Sequence, residues 1–140
     1  MDKNVKQEDD EQVPSTINET IALPDYELLR GFDEERLETL EMMLGSQIRV
    51  LQLVKKLIID FSTAVIEIQS LLKAQDFTTA SRKLHTLKGC SADIGANDVS
   101  TVAYEIEDMI KRGDVNDINQ KIMQLFEAWE VIDNTVKTLL

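Results

Sequence analysis

The sequence predicts an all-α protein, an up-and-down antiparallel four-helix bundle with a short additional helix at its N-terminal side. Three observations carry the prediction. From Asp25 onward apolar residues recur at three- and four-residue steps, the period of a helix face. Only two prolines and five glycines punctuate 140 residues, so the elements are few and long. Aromatics supply 5% of the chain against 43% apolar residues, so the core is mostly Leu, Ile and Val, which suits packed helices. No strand pattern competes.

A short first helix is expected at Tyr26 to Leu29. Asp33 then reads as an N-cap, with Glu34 and Glu35 in the favourable first turn, and Leu37, Leu40 and Leu44 follow. Gly45 and Ser46 break this helix and cap the next. From about Gln47 to Lys73 a single stripe runs through Leu51, Val54, Ile58, Phe61, Val65, Ile68 and Leu72. A helix of that span is roughly 40 Å long and needs lateral partners along its length. Asp76 is expected to cap a third helix, with Phe77, Ala80, Leu84, Leu87, Ser91 and Ile94 on its core side. The segment GAND ends it, and Asn97 or Asp98 starts a fourth through Val99, Val102, Ile106 and Met109. Gly113 and Asp114 turn the chain into a last helix carrying Ile118, Ile122, Leu125, Trp129, Ile132, Val136 and Leu139. Short connections between long amphipathic helices make neighbours antiparallel.

The length suits one domain with a single core. Residues 1–24 differ from the rest: they carry −4 of the formal −11, hold both prolines and lack apolar periodicity. They read as a disordered acidic tail or linker, with the bundle in residues 25–140. A broad negative field repels phosphate backbones and anionic lipid, so neither nucleic acid nor a membrane surface is an expected partner. Cys90 is the only cysteine, which permits no internal disulfide and fits a reducing compartment. No apolar run approaches a membrane span, and no start region has the form of a signal peptide. The expected location is the cytoplasm.

The stretch RKLHTLKGCSADIGA, residues 82–96, holds the single histidine of the chain, His85. His85 stands about 100° from Leu84 and off the core stripe, on a face of Thr78, Ser81, Lys88, Gly89, Ala92 and Ala96. Apart from Lys88 everything near the ring is small. A glycine inside a helix costs roughly 1 kcal/mol against alanine, which makes sense where something large must approach the imidazole. Neutral imidazole is a nucleophile near pH 7 and accepts a phosphoryl group on nitrogen. Lys88, three residues on, is within reach of that group's oxygens. No Ser–His–Asp set, second histidine, metal-ligand spacing or Gly-rich phosphate loop accompanies it.

The segment HTLKGCSADIGA resembles the signature of histidine phosphotransfer (HPt) domains of multistep phosphorelays, roughly H-x-L-K-G-x-S-x-x-[LI]-G-[AL]. His85, Leu87, Lys88, Gly89, Ser91, Ile94, Gly95 and Ala96 match, as do Ala80, Leu84 and the later EIEDMIKRGD; Cys90 is a mild departure. The resemblance covers about residues 24–138. It implies a bundle with the histidine exposed midway along one helix, taking a phosphoryl group from one receiver-domain aspartate and giving it to another. It implies that Lys88 steadies the phosphoryl oxygens and that Gly89 leaves room for the receiver. It implies that a polar residue on the neighbouring helix, Glu107 by spacing, holds the non-phosphorylated ring nitrogen. Ser81, Ala92 and Ala96 are the expected receiver-docking positions. No cofactor or metal is expected in this chain; Mg²⁺ belongs to the receiver.

The function expected is therefore that of a phosphocarrier, with no autonomous enzymatic activity and a monomeric module as in the family. It is either the C-terminal piece of a hybrid sensor kinase, which the linker-like tail favours, or a free-standing shuttle. The alternative is a non-phosphorylated helical adaptor that binds a partner through an apolar face.

Overall fold

A computed structural model describes residues 23–140. The expected tail therefore lies outside the described residues, except Leu23 and Pro24. The described residues form helices and no strand: a 3-10 turn at Tyr26–Leu28, then α1 (Glu34–Leu44), α2 (Gln47–Lys73), α3 (Phe77–Asp93), α4 (Asn97–Arg112) and α5 (Ile118–Leu139).

The helix starts follow the expected chemistry. Asp33 accepts a hydrogen bond from the Glu35 amide, Ser46 from Arg49 and Asp76 from Thr79, each at 3.2 Å. These caps satisfy amides that the first turn leaves without partners. The four long helices close a ring in which α2 packs on α3, α3 on α4, α4 on α5 and α5 back on α2. Leu51, Val54, Ile68, Leu84, Leu87 and Ile106 are among the side chains fully withdrawn from solvent between them. The core is aliphatic, as the composition demands.

Two details depart from the sequence pattern. The expected first helix is a single 3-10 turn. Leu139, assigned to the core stripe of α5, is exposed. A strict seven-residue step drifts about 20° per heptad from a straight helix's period, so three heptads after Ile118 the stripe has rotated off the core.

The 3-10 turn and α1 lie across the end of the bundle where α3 gives way to α4. The Asp33 amide donates to the Gly95 carbonyl at 2.8 Å, and Arg36 Nε donates to the Asp93 carbonyl at 2.8 Å. The Thr135 hydroxyl, from α5, donates to the Arg30 carbonyl at 2.8 Å. Leu29, Leu37 and Leu40 plug into the core from this side. The Tyr26 hydroxyl donates to Glu41 at 2.7 Å; burial first, then the Glu41 carboxylate, pushes this phenol well above its ordinary range, so it remains a donor.

Candidate functional site

The site grows from the pairing of α3 with α4. The Ser100 hydroxyl of α4 donates to the Lys88 carbonyl at 3.0 Å and fixes the register of the two helices. That register sets Glu107 beside His85. The imidazole is 69% exposed, with Nδ1 3.2 Å from Glu107 Oε2. The other carboxylate oxygen, Oε1, accepts from Lys88 Nζ at 2.9 Å. Glu107 is 20% exposed and Lys88 28%. One carboxylate thus holds both the ring and the ammonium.

Partial burial by itself would raise the Glu107 carboxyl. The hydrogen bond and charge of Lys88, followed by His85, outweigh it and keep the group below its ordinary range. Glu107 is therefore ionised at neutral pH and can only accept hydrogen bonds. Nδ1 of His85 must then carry the ring proton. In the neutral imidazole Nε2 then keeps its lone pair, and it is the nitrogen that can act as a nucleophile.

The surroundings of the ring are low. Gly89, on the next turn, is exposed, and a Cβ built there would meet nothing within 4 Å. Packing within this molecule does not require that glycine. Ala92 is exposed on the same side and Ser81 is half-buried. The structure places Ala96 elsewhere: it is fully buried. The expectation that it belongs to the open face is corrected, because α3 stops at Asp93 and the chain leaves the helix before residue 96. The amides of Gly95 and Ala96 fold back onto the carbonyls of Ala92 (3.0 Å) and Ser91 (2.8 Å), a Schellman closure. Gly95 adopts φ +76°, and a Cβ there would fall 3.0 Å from the Asp33 amide nitrogen. The Gly–Ala end of the motif thus serves the fold, while its His–Lys–Gly part lies on the open face.

Two residues escaped the sequence reading. Tyr104 places its ring under Lys88, with Nζ 5.5 Å from the ring centroid. Ser100 provides the register bond. Both were legible in principle, since Ser100, Tyr104, Glu107 and Lys111 step four, three and four residues along one face of α4. The pairing of Lys88 with Glu107, rather than a position beside the ring, was also not foreseen.

Cys90 is half-buried; burial first, then the Asp93 charge, raises its thiol. That makes it a poor thiolate. A cavity of about 590 Å³ opens between the 3-10 turn and α1, lined by the carboxylates of Asp25, Glu27, Glu34, Glu38 and Glu41, a setting hostile to phosphate. Among the described residues no group of three or more His, Cys, Asp or Glu stands arranged to hold a metal ion, and no helix is long and apolar enough to cross a membrane.

A family model described as the Hpt domain matches residues 52–139, from the second turn of α2 to the end of α5. No curated protein and no solved structure matches the chain.

Proposed function

The chain belongs to the Hpt domain family, and on that premise we propose that it is a phosphocarrier whose phosphorylated residue is His85. The observation that carries this reading is the exposed imidazole whose Nδ1 lies 3.2 Å from an ionised carboxylate, with an exposed glycine on the next turn. In the proposed step Nε2 attacks the phosphorus of a receiver's aspartyl phosphate. The N–P bond forms as the aspartyl O–P bond breaks, and that electron pair stays on the receiver's carboxylate. The proton remains on Nδ1, and Glu107 stabilises the positive charge that develops on the ring. The reverse sequence delivers the phosphoryl group to a second receiver.

Lys88 acts on the phosphorylated state, in which its ammonium exchanges the Glu107 oxygen for phosphoryl oxygens. Gly89 admits the receiver's acidic site, and Ser81 and Ala92 lie under the docked partner. The Mg²⁺ that supports aspartyl chemistry is carried by the receiver. The reading takes residues 25–140 as one monomeric cytoplasmic domain, joined by residues 1–24 to a sensor kinase or acting as a free shuttle.

The experiment is transfer of labelled phosphate from a receiver domain to the wild-type chain and to His85→Gln. Label on the wild type alone, acid-labile and base-stable, is the expected result. An intact helical fold that takes no label from any of several receivers would sink the reading in favour of an adaptor.

A further inference from the structure

Lys88 leaves α3 and meets two partners on α4. One is the Glu107 carboxylate, which His85 also engages. The other is the face of Tyr104, 5.5 Å from Nζ. Tyr104 is 55% exposed, so core packing does not account for an aromatic there. A cation within about 6 Å of a ring centroid is held by the ring quadrupole, a preference of roughly two- to five-fold at an exposed site. The ring also carries no formal charge. It can confine the ammonium without competing for it as an anion would.

We propose that Tyr104 is a positioning residue for Lys88. It keeps the ammonium over the groove between α3 and α4, at the margin of His85, while the phosphoryl group draws it from Glu107. The inference rests on the phosphocarrier reading. A phosphoryl group on Nε2 brings more negative charge than the single Glu107 carboxylate, so Lys88 changes partners once the N–P bond has formed. An unrestrained lysine would then spread over many rotamers, and a long side chain loses substantial entropy on being ordered. The ring removes part of that freedom beforehand, so that a short swing suffices.

The test uses Tyr104→Leu and Tyr104→Phe, each alone and combined with Lys88→Ala. The readouts are the phosphohistidine lifetime, the rate of transfer to a receiver, and receiver affinity before phosphorylation. Tyr104→Leu is expected to shorten the lifetime or slow transfer roughly two- to five-fold. Phe keeps the aromatic face and restores wild-type values. In the Lys88→Ala background Tyr104→Leu changes nothing further. An equal loss in both backgrounds, or a loss confined to receiver affinity, would overturn the proposal and make the ring a docking surface. NMR of the Lys88 side-chain methylenes gives a readout without phosphate. They are expected upfield through the ring current in wild type and Tyr104→Phe, and unshifted in Tyr104→Leu. Methylenes unshifted in the wild type would overturn the proposal by themselves. A wild type that takes no label but shows the ring-current shift would sink the phosphocarrier reading and leave the contact standing.

Discussion

Gly89 and Gly95 are six residues apart in one motif, and they answer to different demands. At Gly89 the backbone is helical and the space above it empty. Gly89→Ala is therefore expected to raise stability by about 1 kcal/mol, read as a higher urea midpoint, while slowing transfer from a receiver. Gly95 has a left-handed backbone and the Asp33 main chain against it. Gly95→Ala is expected to cost on the order of 2 kcal/mol in the same titration. Glu107 adds a dependence on pH. Its folded carboxyl lies below the ordinary 4.5, so the stability it contributes is complete above that value and is lost as pH falls through the folded one. The difference in urea midpoint between wild type and Glu107→Gln is expected to hold at neutral pH and to shrink below about pH 4.5. His85 and Lys88 were legible because helical spacing puts them on one face, whereas Glu107 was reached only through the family resemblance, since periodicity does not say which residue of a neighbouring helix meets the ring. Ala96 was misplaced because periodicity says which residues share a face only as long as the helix continues. Tyr104 went unnoticed because an aromatic on a helix reads as packing until its exposure is known.

Among the elements, α2 and its exit show what patterns of residues encode. The cap at Ser46 and the apolar stripe set the start and the core face of a 27-residue helix. The turn out of it carries no such signature. Gln75 adopts φ +62°, a region that costs a non-glycine residue about 1 kcal/mol or more. Its amide and that of Asp76 fold back onto the carbonyls of Leu72 and Leu71. The turn geometry is imposed by α2 and α3 having to pack antiparallel, not by the residue at the turn. Gln75→Gly is expected to stabilise the bundle by about 0.5–1 kcal/mol, the relieved strain exceeding the added freedom of the unfolded chain. A lowered melting temperature would show that the turn holds no strain worth relieving.

For the whole molecule, the four-helix plan was readable from apolar periodicity alone, while the seating of α1 was not. The hydrogen bonds that seat it end on main-chain carbonyls far away in sequence, and a main-chain acceptor leaves no trace in residue types. The family match begins at residue 52, yet Leu29, Leu37 and Leu40 are buried core residues. Truncating one such leucine typically costs about 2–5 kcal/mol. A fragment of residues 46–140 is therefore expected to lose its sharp urea transition or to show a much lower midpoint than residues 23–140. Equal midpoints would make the N-terminal cap dispensable.

The bond from Thr135 to Arg30 spans 105 residues. Neighbouring helices meet through contacts close in sequence and can pair early. The N-terminal cap meets α2 early, but the rest of its seat is assembled from the α3–α4 turn and from the final turns of α5. During synthesis residues 23–44 and α2 leave the ribosome well before the α3–α4 turn and the end of α5. Three core leucines must then wait, covered by α2 at most, for nearly the whole of the bundle to be made.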